Sequence, residues 1–194
     1  MRSSDIMIGI ETLGTTPGCV IISIGACTLS PTDSTAASQN FYDRIDISDA
    51  VGAGLVIEPD TVIWWMGQDA DSRAELTRTD GRSTLSGALD NLGEWFTEVG
   101  ADPETQVWAN GASFDFPILE AAYRAVHKTP PWNYRQLRCY RTARKILTVV
   151  EAPTPQGIRH HALCDAHYQA RVLSTILTRV RELEVPCLSG TVAK

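Results

Sequence analysis

The 194-residue sequence predicts an α/β fold: a mixed sheet of about five strands, the first three antiparallel, with helices on both faces. Three observations carry that expectation. Residues 6–10, 19–29 and 39–47 are strand-like runs separated by turn signals; beyond residue 60 the apolar period lengthens to that of helices; and residues 106–126 and 132–150 each read as a strand followed by a helix.

Taken in order, Ile6 to Ile10 make a short buried strand, and Glu11 places a carboxylate at its C-terminal end just before Gly14 allows a turn. Thr15-Thr16-Pro17-Gly18 then leads into the β-branched run 19–29, which is a hairpin pattern. Pro31 to Ser34 marks another turn, and Gln39 to Ile47 alternates as a half-exposed third strand would, completing a meander. Asp60 is placed to cap a helix through Gln68, which resumes at Asp69 after Gly67. Leu85, Leu89, Leu92 and Phe96 form the core stripe of a helix over 83–99, capped by Ser83 or Thr84. Residues 106–109 are a strand, Asn110-Gly111 a turn, and Asp115 opens a helix to Val126 that tolerates Pro117 in its first turn. Residues 132–140 read as a last strand, with a helix as the competing assignment, and a helix follows to Val150. Ala162 to Glu184 is a long amphipathic helix, and 186–194 a frayed tail. Neither a repeat nor a linker divides the chain, so residues 1–194 are expected to form a single domain.

The composition narrows the class. Hydrophobic residues make up 43% of the chain, enough for a full core. A net charge of −6 excludes wholesale charge-driven binding to nucleic acid, so such contact must come from a local basic patch. Arg135, Arg138, Arg141, Arg144 and Lys145 form the only strongly basic stretch. The five cysteines are odd in number and include no CxxC pair, which argues against a zinc site and a disulfide framework. The N-terminal apolar run is too short for a signal h-region or a membrane span. A cytoplasmic protein without membrane contact is expected, in a bacterial or phage-infected host cytosol.

Four residues carry the chemistry. Glu11 ends the first strand, Asp115 opens a helix after a central strand, and His160 and Asp165 stand at the start of the last helix. Carboxylates converging from separate elements on one sheet edge suit a two-metal phosphoryl-transfer site, in which Mg²⁺ or Mn²⁺ takes hard oxygen ligands. His160, five residues before Asp165, is placed to overhang that site as the general base. Trp64 and Trp65, with Gln68, are candidates for stacking a nucleobase, although at least one of the pair is expected to fill the core.

The segments IxIETLGT, NGxxFDxxIL and HHALCDAxxQA resemble the three exonuclease motifs of the DEDD superfamily, which has a ribonuclease H-like fold. The resemblance is to the histidine-containing DEDDh branch of 3'-5' exonucleases and within it to the phage exonuclease A group. It spans residues 6–170, and the H-x-A-x-x-D spacing is its most specific part. The resemblance implies Glu11, Asp115 and Asp165 as metal ligands, His160 as general base and two divalent cations. By the same pattern Thr12 and Leu13 face the terminal nucleotide, with Leu13 wedged against its base. Trp64, Trp65 and Gln68 wall that channel, and Arg138 and Arg141 hold phosphates further along. The partner it implies is the 3' end of single-stranded DNA or RNA, with homodimers frequent among relatives. His161 falls outside the motif spacing.

One position departs from the pattern. The first motif is D-x-E, and this chain has Gly9-Ile10-Glu11, so the aspartate that bridges both metals is missing. Asp5 is no substitute, since four residues along a strand span about 13 Å. Two readings follow. One is an exonuclease releasing nucleoside monophosphates from a single-stranded end, weakened or inactivated at position 9, with paired metal occupancy lost. The other is a catalytically dead nucleic-acid or nucleotide binding module on the same fold. Retention of Glu11, Asp115, His160 and Asp165 favours the enzyme lineage.

Overall fold

Asp5–Thr12 form β1, a strand of alternating allegiance: Ile6, Ile8 and Ile10 enter the larger hydrophobic core, whereas Met7 enters a smaller one on the opposite face. The structure is a computed structural model and describes residues 5–30, 38–146 and 154–183. Ile21–Leu29 (β2), Asn40–Ile45 (β3), Arg82–Ser83 (β4), Val107–Ala109 (β5) and Leu137–Cys139 (β6) complete a six-stranded sheet in the order β4-β3-β2-β1-β5-β6. β1, β2 and β3 are successively antiparallel, and β5 runs parallel to β1 on its other side. β4 and β6 are parallel additions at the two edges.

The sheet has one strand more than the five expected, because β4 is only two residues long. No intrinsic strand preference forms it. The Asp46 amide donates to Ser83 O at 2.8 Å, and the Ser83 hydroxyl donates to both carboxylate oxygens of Asp43, at 2.9 and 3.0 Å.

The helices are Ile47–Gly52 (α1), Pro59–Met66 (α2), Ala70–Thr77 (α3), Leu85–Glu98 (α4), Asp115–Ala125 (α5), Tyr140–Ile146 (α6) and Ala162–Leu183 (α7). α1 was not expected; it is one short turn capped by the Asp46 side chain on Asp49 N–H. α2 begins one residue before the anticipated Asp60 cap, with Pro59 in its first turn and no side-chain cap, whereas Asp69 does cap α3. Thr84 caps α4, whose Leu85, Leu89, Leu92 and Phe96 join the large core as their spacing requires. α4 and α5 cover one face of the sheet. α6 and α7 cover the other, where Ala166, Ala170 and Leu173 meet Met7 and Tyr140. Residues 147–150 of the expected sixth helix and the tail from 186 lie outside the described residues. No helix among those described is long and apolar enough to cross a membrane.

α7 sits unusually close to the sheet. Gly9 pairs with Gly25 across the β1–β2 ladder. A Cβ at Gly25 would stand 2.2 Å from Leu163 N, so only glycine admits the first turn of α7 here. This approach brings the residues at the start of α7 onto the end of β1.

Candidate active site

Glu11 lies two residues beyond Gly9 on the α7 side of β1, and the ladder shifts register immediately after it, between Glu11 and Thr12. Such a bulge ends regular pairing and re-aims the chain. One ligating atom each from Glu11, His160 and Asp165 falls within 4.8 Å of the others. His160 reaches this position with φ of 56°, in the left-handed region that non-glycine residues seldom occupy. Its surroundings hold it there. The buried Ser72 hydroxyl donates to Arg159 O at 2.8 Å, and the ring of Trp64 meets His160 edge-on with centroids 4.9 Å apart. His161, outside the motif spacing, stacks on Tyr42 at 4.3 Å and accepts the Cys164 N–H at Nδ1, capping α7.

Asp115 opens α5 after the Asn110-Gly111 turn, where Gly111 has φ of 126° and its carbonyl accepts the amides of Phe114 and Asp115. It lines the same cavity of about 250 Å³ as Gly9, Glu11, Arg141, His160 and Asp165. Asp115 is 5% exposed, and its Oδ2 has no hydrogen-bond partner. Burial pushes its carboxyl up to about 7, against the opposing pull of its own and the Ile10 backbone N–H and the Arg141 charge. Glu11 is driven further, to about 8, by burial first and then by the charges of Asp165 and Asp115. Burial also raises Asp165, opposed by the two histidines and Arg159.

Three acids whose ionisation burial opposes, Glu11 further so by the other two, and a buried carboxylate oxygen with nothing to bond, are the donor set of a hard divalent cation. The residues fit such an ion: Glu11 and Asp165, with Asp115 alongside, would hold it, and His160 is near enough to ligate or to handle a proton. Gly9 contributes no oxygen.

A second cavity, about 430 Å³, opens from Glu11 toward α2. Its wall includes Thr12, Trp64, Trp65, Phe114, Glu58 and Asp60. The two tryptophans divide the labour expected of them. Trp65 is 2% exposed and donates from Nε1 to Thr12 O at 2.9 Å, whereas Trp64 is 46% exposed. Glu58 accepts the amides and hydroxyls of Thr15 and Thr16, fixing the loop that forms the floor.

Three expected contacts are corrected. Leu13 is 4% exposed and belongs to the core, with its backbone tied to Val20 and Glu58, so it has no free face for a base. Gln68 turns its amide back onto Trp64 O and does not line the cavity. Arg138 donates from Nη1 to the carbonyls of Arg135 and Leu137 and does not line the acidic cavity, whereas Arg141 bonds Asn110 O and does face the acids. Sequence reasoning passed over Glu58, Asp60, Phe114, Asn110 and Gln169. Of these, Asn110 and Phe114 stand in the NGxxFDxxIL segment, and Gln169 lies one helical turn beyond Asp165 and so on the same face.

The family described as the 3'-5' exoribonuclease Rv2179c-like domain matches residues 4–177. The chain belongs to this family. An exodeoxyribonuclease of Enterobacteria phage T4 is 23% identical, over 79% of this chain and 78% of that protein. The nuclease domain of 3'hExo, a DEDDh family member solved bound to rAMP, superposes with a TM-score of 0.60 at 14% identity, covering 91% of this chain and 93% of that one. Cell-death related nuclease 4 (CRN-4) gives 0.56 at 13% identity, over 93% of this chain and 65% of that chain. The Rv2179c-like chain therefore has the ribonuclease H-like fold of DEDDh nucleases and is a member of an exonuclease family.

Proposed function

We propose that the chain is built as a metal-dependent 3'-5' exonuclease that removes nucleoside monophosphates from a single-stranded end, and that Gly9 leaves it nearly inactive. The observation that carries the reading is the convergence of Glu11, His160 and Asp165 within 4.8 Å at the junction of the aromatic cavity and the cavity holding Asp115. The bound Mg²⁺ or Mn²⁺ of such a site supplies water activation and charge neutralisation at the phosphodiester. The protein supplies the rest. Trp64 and Phe114 offer faces to the terminal base, and an imidazole nitrogen of His160 takes the proton of the attacking water. Glu58 and Asp60 line the aromatic cavity and repel a phosphate there. That favours a terminus ending in a free hydroxyl, as an ordinary 3' end does.

The absent carboxylate at position 9 favours a second reading, a binding module that holds a strand without cutting it. One assay separates the two. A 5'-labelled oligonucleotide is incubated with Mn²⁺ or EDTA, with this chain and with Gly9→Asp. Metal-dependent shortening from the 3' end by the Gly9→Asp chain supports the exonuclease; retention without products in both chains supports the binder.

A further inference from the structure

Resting on the exonuclease reading, we propose that Arg144 and Arg159 form a second subsite that holds the strand through the internucleotide phosphate upstream of the one cleaved. Three cavities adjoin in a row. The aromatic one shares Ile10, Glu11 and Phe114 with the acidic one, and the acidic one shares Asn110, His160, Asp165 and Gln169 with a third, of about 300 Å³. The outer two differ in charge. The aromatic cavity is lined by three carboxylates and no Lys or Arg, whereas the third is lined by Arg144 and Arg159 with Asp165 at its boundary.

A single strand has the same asymmetry at its 3' end: the last nucleoside bears no phosphate beyond its 3' oxygen, and every earlier linkage carries one negative charge. Laid across the row with the nucleoside among the tryptophans, the strand places its next phosphates on the arginine side. Neither arginine forms an ion pair among the described residues, and both side chains are exposed. The lane between them contains an unused polar group. Gln169 is 8% exposed, lines both the acidic and the arginine cavity, and has no partner for Oε1. A buried carboxamide left unpaired costs stability unless a ligand or water completes it.

The test measures binding by the chain as it stands, in Mg²⁺, to two probes: a 5'-labelled single-stranded hexanucleotide and a nucleoside 5'-monophosphate. The expected result for the double variant Arg144→Gln/Arg159→Gln is a hexanucleotide affinity about tenfold weaker. Its salt slope should be shallower by about 0.7, the share of one phosphate in a single strand. Monophosphate affinity should stay within about twofold, since that ligand lacks the upstream phosphate. Arg138→Gln, with its guanidinium held by backbone, should change neither probe. The subsite is overturned if the hexanucleotide affinity and slope do not move, if both probes weaken together, if Arg138→Gln weakens the strand as much as the double variant, or if the unsubstituted chain fails to bind the strand. Shortening of the strand by Gly9→Asp reads the exonuclease assignment separately, so an active Gly9→Asp chain indifferent to both arginine changes sinks the subsite alone.

Discussion

Gly9 faces Gly25 across the β1–β2 ladder, and both lie beneath the first turn of α7, yet the two positions are not equivalent. A Cβ at Gly9 would meet Ala162 O at 3.3 Å, a tight contact relieved by a few tenths of an ångström. At Gly25 it would meet backbone atoms at 2.2–2.6 Å, and the helix itself would have to move. Gly25→Ala is therefore expected to destabilise the fold by about 3 kcal/mol, in the range of overpacked cores. Gly9→Asp should fold with a thermal midpoint close to that of the parent. It should also gain Mg²⁺- or Mn²⁺-dependent exonuclease activity by a factor of at least about 10² over the parent, which His160→Ala then removes. Comparable degradation by the parent and by Gly9→Asp would refute the account of position 9.

The clustered acids set a pH dependence. Below about 4.5 Glu11 is protonated in folded and unfolded chains alike. As pH rises, the unfolded chain releases its protons from about 3.8 and 4.5, whereas the folded site keeps them to about 7 at Asp115 and about 8 at Glu11. The folded state binds more protons through that window, so stability is lost as pH climbs from about 4 to 8. Calorimetry in EDTA should show the midpoint falling over this range, less steeply in Glu11→Gln, and saturating Mn²⁺ should flatten the fall. A slope identical in the parent and Glu11→Gln would remove Glu11 as its source.

Trp64 and Trp65 should separate under mutation. Trp65→Phe loses the bond to Thr12 O and is expected to destabilise by about 1 kcal/mol. Trp64→Ala should leave the midpoint unchanged and weaken a nucleoside 5'-monophosphate about tenfold, as a stacking face does. Equal effects of the two on binding, without any on stability, would contradict the division.

Leu13→Ala tests the correction at that position. Truncation of a core leucine is expected to lower stability by about 2–5 kcal/mol, with monophosphate affinity held within about twofold at temperatures where the variant is folded. A large loss of affinity in a stable variant would return Leu13 to the channel.

A terminal phosphate tests the carboxylate wall. An oligonucleotide ending in a 3'-phosphate should bind several-fold more weakly than its 3'-hydroxyl counterpart, because Glu58 and Asp60 share that cavity. Glu58→Gln and Asp60→Asn should narrow the difference. Tighter binding of the 3'-phosphate by the unsubstituted chain would reverse the assigned direction of the strand.

The site's skeleton was legible because Glu11, Asp115 and Asp165 sit where a strand ends or a helix begins, and those boundaries are marked by periodicity and turn residues. Leu13 was misplaced for a definite reason. Its place in the channel came from the family pattern alone, whereas in the fold the ladder shifts register between Glu11 and Thr12 and both Thr12 and Leu13 are buried. The elements α1 and β4 were invisible for another. They are six and two residues long and owe their form to distant partners, such as the Asp49 carboxylate accepting Leu85 N–H. Arg138, Arg141 and Arg144 could not be told apart within a run of basic residues, since carbonyl partners and neighbouring cavities exist only in the folded chain.

The central strand β1 pairs with β5, about a hundred positions away, and is covered by α7, the last described element. Until α7 has been synthesised and docked, Glu11 has neither His160 nor Asp165 beside it, so the cluster of Glu11, His160 and Asp165 is among the last features a nascent chain can assemble.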